Sequence, residues 1–243
     1  MILAGKTAIV TGGALRIGRE IGRALAVQGV HICVHYRSSA AAAQEAVKEF
    51  RSLGVRASAV CVDLSVPVAA ARAIFEQAVS ELGSVQILIN SASVFETGSL
   101  LFTDEAHWDR EFAINLKAPF FLSQEFARQL PQNMSGAIVN LVDWRGERPR
   151  PGHAAYTMSK AGLIAQTRLL AQELGPQVRV NAIAPGAILP PPGESLAQFE
   201  QRSMDSPLQK TGTPEDIARA VTYLLTAPFV TGEVLHVTGG VEL

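Results

Sequence analysis

Short apolar runs alternate with helical stretches along almost the whole chain, and that alternation limits the possible folds more than any other feature. The runs are Thr7–Val10, Val30–His35, Arg56–Val62, Val85–Asn90, Ala137–Val142, Val178–Ala184 and Gly232–Val237. Helical spacing covers Ile17–Gln28, Ala40–Leu53, Val68–Leu82, Glu105–Leu130, Tyr156–Leu174 and Pro214–Leu225. The runs are apolar almost throughout, as parallel strands covered on both faces require. Strand–helix–strand repetition predicts right-handed crossovers and an open, doubly wound α/β sheet with helices on both faces. At 243 residues, one domain over 1–243 accounts for the chain. Pro185–Thr213 is the one long irregular stretch, with Pro190, Pro191 and Pro192 in a row. Such loops are commonly functional, so 186–213 is expected to form a substrate loop or lid. Ser195–Met204 within it reads as a short helix, apolar at Leu196 and Phe199.

Composition narrows the partners. Hydrophobic residues make up 48% and charged residues 18%, which excludes a disordered chain. A net charge of −1 leaves no basic face for nucleic acid. No apolar run approaches the roughly 18 residues of a membrane span. Met1–Lys6 leads straight into the first run without a leader, so a soluble cytoplasmic protein is expected. Cys33 and Cys61 lie in apolar runs and read as buried free thiols. The cysteines and His31, His35, His107, His153 and His236 have no ligand spacing, and no metal site is expected.

The first run ends in Thr11-Gly12-Gly13-Ala14-Leu15-Arg16-Ile17-Gly18, directly before a helix. Gly12 and Gly13 permit a sharp turn with backbone close to a pyrophosphate, and Gly18 permits close helix–strand packing. The helix N-terminus offers unpaired N–H groups to the anion. In this strand–turn–helix context the glycines read as a dinucleotide-binding turn, which makes the sheet Rossmann-type. Arg16 stands where the usual fingerprint has its middle glycine. A cation lies on the unfavourable side of the helix dipole there, which points to a phosphate or a polar substrate edge as its partner.

The second run ends His35-Tyr36-Arg37-Ser38-Ser39, where an NAD enzyme places an acid for the ribose 2′-hydroxyl. The only acid between Gly18 and Gln44 is Glu20, inside the first helix. Arg37 and Ser38 instead offer donors suited to a 2′-phosphate, so NADPH is the expected cofactor. Arginine, the better bidentate phosphate ligand, outnumbers lysine sixteen to five. Asp63 reads equally well as an acceptor for the adenine amino group and as a helix N-cap.

Tyr156-Thr157-Met158-Ser159-Lys160 opens a helix, and residues four apart share a face. A nearby ammonium favours tyrosinate and lowers the tyrosine pKa from ~10 toward neutrality. Tyr156 is thereby suited to donate a proton to a carbonyl or imine under reduction. With Asn90-Ser91-Ala92-Ser93, Asn115 and Asn181-Ala182-Ile183-Ala184-Pro185-Gly186, the chain resembles the short-chain dehydrogenase/reductase family over essentially its full length. The resemblance implies a seven-stranded parallel sheet and a homotetramer. It makes Tyr156, Lys160 and Asn115 catalytic, with Lys160 also on the nicotinamide ribose and Asn115 holding a relay water. It implies cofactor contacts from Gly12, Arg16, Ile17, Gly18, Tyr36, Arg37, Ser38, Asp63, Leu64, Ser91, Ala92, Tyr156, Lys160, Pro185, Gly186 and Ile188.

The departures carry more information. The family's catalytic serine lies thirteen residues before the tyrosine, and here that position is Asp143. A carboxyl can carry charge and, when protonated, deliver a proton. Asp143, Arg16, His35-Tyr36-Arg37-Ser38 and Phe95 together resemble the pteridine reductase subgroup. That resemblance implies substrate contacts from Arg16, Ser93, Phe95, Asp143 and Tyr156. Phe95 and the nicotinamide would sandwich a flat pterin, while Asp143 and Tyr156 bond its 2-amino-4-oxo side and protonate ring nitrogens. Ser91 departs from the asparagine usual in that segment. The expected reaction is NADPH-dependent reduction of a dihydropterin or dihydrofolate-like C=N bond. The alternative is reduction of a 3-oxoacyl or other ketone, whose oxyanion requires neutral hydrogen-bond donors. A non-catalytic NADP sensor would reuse the fold but has no need of Tyr156, Lys160 and Asn115. His153 reads equally as pocket lining and surface residue, Trp144 as a pocket wall, and Arg145–Pro151 as a solvated loop or a set of cations for a substrate tail.

Overall fold

Burial on both faces turns the apolar runs into a sheet. In the computed structural model, β1 (Thr7–Val10), β4 (Ile87–Asn90) and β5 (Gly136–Leu141) are buried at every position. The structure describes all residues except Pro192 and Asp205, and the backbone alone of Leu196, Arg202 and Ser203. The remaining strands are β2 (His31–Tyr36), β3 (Ala57–Cys61), β6 (Val178–Pro185) and β7 (Val234–Val237). All seven pair in parallel in the order β3-β2-β1-β4-β5-β6-β7. The sequence order reverses between β1 and β4, which opens a crevice at the strands' carboxyl ends.

The helices are α1 (Arg16–Val27), α2 (Ala40–Ser52), α3 (Pro67–Leu82), α4 (Glu105–Phe112), α5 (Ala118–Gln129), α6 (Ala154–Leu174), α7 (Leu196–Ser203) and α8 (Pro214–Thr226). Successive strand residues point to opposite faces, so neighbours enter different cores. Val10, Ile32 and Val34 pack with Ile21 of α1, Phe50 of α2 and Leu224 of α8. Ile9, Cys33, Leu88 and Ile138 pack with Phe75 of α3, Phe126 of α5 and Leu170 of α6. Capping boxes start α7 (Ser195 with Gln198) and α8 (Thr213 with Asp216). The short helix expected at Ser195–Met204 is α7, with Phe199 buried; the Leu196 side chain and Pro192 lie outside the described residues. No helix among the described residues is long and apolar enough to cross a membrane.

Two expectations need correction. The helix read as continuous over Glu105–Leu130 is interrupted by a π turn at Ala113–Lys117, between α4 and α5. An unbroken α-helix would direct the residue-119 N–H at the carbonyl of Asn115, and Pro119 has no N–H to give. Cys33 is buried, and its thiol is pushed up to about 12 by that burial. Cys61 is exposed instead, because β3 has emerged from the helix layer at its last residue; its Sγ donates to the Arg37 carbonyl at 3.2 Å.

Gly18 is where α1 comes closest to the turn before it. A Cβ there would fall against the Gly12 carbonyl, 2.9 Å from its carbon and 3.2 Å from Gly13 Cα. The substitution Gly18→Ala is expected to destabilise the fold by about 1–3 kcal/mol, lowering Tm by several degrees. A thermal melt with unchanged Tm would show that the turn has slack.

Candidate active site

The glycine turn is held from two sides. Thr11 Oγ1 accepts the Ser91 and Ala92 N–H groups at 2.9 and 3.0 Å, joining the exits of β1 and β4. Gly12 has φ 63°, and a Cβ there would meet Ala92 Cα at 3.1 Å. On the other side the buried His35 ring accepts the Gly12 N–H on Nδ1 at 3.2 Å. Its Nε2 is therefore the protonated nitrogen and donates to the Val62 carbonyl at 3.0 Å. Gly13 N–H donates to the His35 carbonyl at 3.1 Å. No side chain caps α1, so its first-turn N–H groups face the crevice end with no side-chain acceptor, as an anion site requires. Arg16 has a left-handed backbone (φ 53°), costing roughly 1 kcal/mol, and its Nη2 donates to the Pro190 carbonyl at 2.9 Å. The arginine thus bridges the phosphate turn and the loop after β6.

Other expected cofactor residues surround the same end of the sheet. Tyr36 is half-buried, and Arg37 and Ser38 are exposed at the end of β2. Gly186 donates to the Val237 carbonyl at 2.9 Å, and a Cβ there would lie 2.6 Å from Thr238 Cα. The side chains of Leu64 and Ile188 are packed in the core, so only their backbone is presented. Asp63 is not a helix N-cap, which falls at Val66. It accepts the Ser65 N–H at 2.8 Å, and that bond lowers its pKa.

Asp143 follows β5 and caps the 3-10 turn Trp144–Gly146. Its Oδ1 accepts the Arg145 N–H at 2.8 Å and lies 3.5 Å from the Arg145 guanidinium. Its Oδ2 accepts the Tyr156 hydroxyl at 2.9 Å. Arg145 also lies over the Trp144 ring, at 4.6 Å. Trp144 is buried in a core cluster, so it is not an open pocket wall.

The expected Tyr156–Lys160 coupling takes a different form. Lys160 is buried, and its Nζ donates to the Leu141 carbonyl at 2.7 Å, 5.7 Å from the Tyr156 ring centre. Burial lowers the Lys160 pKa to about 8, against the opposing pull of Asp143 and Glu111. Burial, reinforced by the Asp143 charge, raises the Tyr156 pKa well above 10. The hydroxyl in this state keeps its proton and directs it at Asp143, contrary to the expected shift toward neutrality.

Asn115 is brought to the site by the π turn, but its side chain is already engaged. Oδ1 accepts from Ser93 Oγ and Val94 N–H, both at 3.0 Å. Nδ2 faces the Val94 carbonyl, Glu111 Oε2 and Ser159 Oγ at 3.0, 2.5 and 3.2 Å. The side-chain amide is therefore engaged within the protein. Ser93 likewise turns its hydroxyl inward. Phe95 is 41% exposed and meets Tyr156 edge-to-face at 4.7 Å. His153 stacks on it at 4.2 Å and bonds the Glu96 carbonyl through Nδ1 at 2.9 Å, which places His153 against Phe95.

Sequence reasoning missed the ring contacts of His35, quoted Thr11 and Ser159 within motifs without giving them a role, and did not single out Glu111. Glu111 had a signal: it lies four residues before Asn115, on the same helical face.

Residues 13–242 match the family model described as Enoyl-(Acyl carrier protein) reductase. The 3-oxoacyl-[acyl-carrier-protein] reductase FabG of Staphylococcus aureus is 34% identical over 243 residues, covering 98% of each chain. A short-chain type dehydrogenase/reductase of Picea abies is 34% identical over 252 residues, covering 98% of this chain and 93% of its own. The crystal structure of FolM Alternative dihydrofolate reductase 1 from Brucella canis, complexed with NADP, matches with a TM-score of 0.93 at 35% identity. That match covers 100% of this chain and 96% of the other. The chain belongs to the short-chain dehydrogenase/reductase family and is an oxidoreductase of that family.

The His35 arrangement predicts a pH dependence. Burial, the largest influence, lowers its pKa below the ordinary 6.5, so the unfolded chain binds this proton more tightly than the folded one. The stability contribution is complete above about pH 6.5 and is lost as pH falls through the lowered folded value. Melting curves for the wild type should drop on acidification more steeply than those for His35→Asn; equal slopes would remove His35 as the brace.

Proposed function

We propose that this chain is an NADPH-dependent reductase of a pterin-like C=N bond. The observation that carries the reading is the carboxylate of Asp143 receiving the Tyr156 hydroxyl at 2.9 Å beside the Phe95 ring. A ketone reductase needs neutral donors around a developing oxyanion. Here the position thirteen residues before the tyrosine supplies an acceptor, which repels that charge. A carboxylate matches a heterocycle edge that presents N–H donors, such as the 2-amino and ring N–H of a pterin. Phe95 adds a flat apolar face. The solved relative from Brucella canis, described as an alternative dihydrofolate reductase, supports the same substrate class.

The uncapped α1 terminus, whose first-turn N–H groups have no side-chain acceptor, fits the pyrophosphate of a dinucleotide. In this reading Gly12, Ile17 and Gly18 receive the pyrophosphate, with Arg16 beside it. Tyr36, Arg37 and Ser38 receive the 2′-phosphate end, and Asp63 and Leu64 the adenine. Ser91, Ala92, Pro185, Gly186 and Ile188 line the rest of the dinucleotide path. NADPH, when bound, supplies the hydride. Tyr156 gives its hydroxyl proton to the ring nitrogen, Asp143 orients that hydroxyl and holds the substrate edge, and Lys160 provides the adjacent cation. Asn115 fixes the segment that carries Phe95.

Ketone reduction is the second reading, favoured by the likeness to FabG. Purified protein should oxidise NADPH in the presence of 7,8-dihydrobiopterin and leave acetoacetyl-coenzyme A untouched, with kcat/KM higher for NADPH than for NADH. The reverse substrate preference would establish the ketone reading. Removing the Tyr156 hydroxyl (Tyr156→Phe) should cost about 100-fold or more in turnover with NADPH affinity retained; full activity would rule out Tyr156 as the proton donor. Restoring the hydroxyl of the ketone reductases with Asp143→Ser should lower pterin kcat/KM by about tenfold or more, one charge-assisted contact. An unaltered kcat/KM would dismiss Asp143 from substrate recognition.

A further inference from the structure

An acid in α4 takes no part in the chemistry above. Glu111 is fully buried and bonded on both carboxyl oxygens. Oε1 accepts the Glu96 N–H at 2.9 Å, and Oε2 accepts Asn115 Nδ2 at 2.5 Å. Asn115 grips the same loop two residues earlier, through the N–H and carbonyl of Val94, each at 3.0 Å. Two side chains one helical turn apart thus hold the backbone on either side of Phe95. The ring between those anchored residues is the one that meets Tyr156 at 4.7 Å.

We propose that Glu111 is a positioning residue that, as a two-sided acceptor, clamps segment 93–96 and holds the Phe95 ring over Tyr156, setting the affinity for the substrate. The proposal rests on Phe95 forming the substrate wall, as in the function proposed above, and not on whether the substrate is a pterin or a ketone.

The clamp requires a carboxylate. An ionised carboxyl only accepts, so it satisfies both N–H donors. Protonation, or replacement by glutamine, turns one end into a donor facing a donor. The charged groups around Glu111 come from three elements. His107, on its own helix, places Nε2 3.7 Å from Oε1, buried and without a hydrogen-bond partner. Glu96 lies on the clamped loop and is itself paired with Arg110. Lys160 of α6 acts on Glu111 through its charge. Burial dominates and raises the Glu111 pKa, with Glu96 adding to the rise and the Glu96 N–H, His107 and Lys160 opposing it. The clamp is closed at high pH and opens as pH falls through that raised value.

The test compares wild type with Glu111→Gln in three measurements. These are KM and kcat at saturating NADPH, NADPH affinity by fluorescence, and amide exchange of segment 93–96 by mass spectrometry. The probe is 7,8-dihydrobiopterin, with acetoacetyl-coenzyme A substituted if the wild type reduces only that. In Glu111→Gln, KM should rise about tenfold, the effect of one broken buried hydrogen bond. NADPH affinity should stay close to wild type, kcat should change by much less than KM, and segment 93–96 should exchange faster. Wild-type KM should climb as pH is lowered from about 8 to about 5, and the variant's KM should be high and flat. A variant with wild-type NADPH affinity, KM, pH profile and exchange overturns the proposal. If the wild type reduces neither probe, the function proposed above fails, and the exchange result alone decides the clamp. If Glu111→Gln does not fold, wild-type exchange still decides it: protection of 93–96 that stays constant on acidification, after correction for intrinsic exchange, overturns it.

Discussion

A parallel sheet covered by helices on both faces leaves its polar chemistry one outlet, the carboxyl ends of the strands. Every other feature of this protein follows from that constraint. The reversal between β1 and β4 separates the helices flanking the central strands and opens the crevice there. Thr11 then ties the exits of these two strands together, so the glycine turn and the segment leading to Phe95 form one unit. Asp143 leaves the next strand, β5, and meets Tyr156 from the helix that follows.

The site concentrates buried charge. Asp143, Glu111 and Lys160 lie close enough to influence one another, and each acid opposes the effect of burial on the lysine. Single burial of any one would be costly. Together with the carbonyl of Leu141 and the amide of Asn115 they form a compensated group. The neutral Tyr156 hydroxyl sits beside this group with its proton aimed at Asp143. That arrangement differs from a Tyr–Lys pair acting alone, because the carboxylate stands closer to the hydroxyl than the ammonium does.

Much of this was legible in the sequence. Continuous apolar runs gave away the buried parallel strands, since partial exposure would have imposed alternation. The glycine turn could be read because backbone geometry there tolerates few side chains. Tyr156 and Lys160 could be read because helical spacing alone puts them on one face. What escaped depends on tertiary partners. The π turn reflects Pro119 acting on a carbonyl four residues back inside an otherwise good helix. Cys61 looks like Cys33 in composition, and only the point at which β3 leaves the helix layer separates them. His35 was noted for its place in a cofactor segment, yet its ring faces the turn after a different strand. The tyrosine pKa was misjudged because burial and the Asp143 charge outweigh a lysine directed at Leu141.

The proposed function turns on the carboxylate in the place of the usual serine recognising a heterocycle with N–H donors against the Phe95 ring. A crystal structure of the protein with NADPH and a 2,4-diaminopteridine antifolate tests it most directly. The expected result is the pteridine ring against Phe95, with an amino group within hydrogen-bond distance of Asp143. A pteridine bound away from Phe95, or one whose amino groups leave Asp143 bonded only to Tyr156 and Arg145, would contradict it.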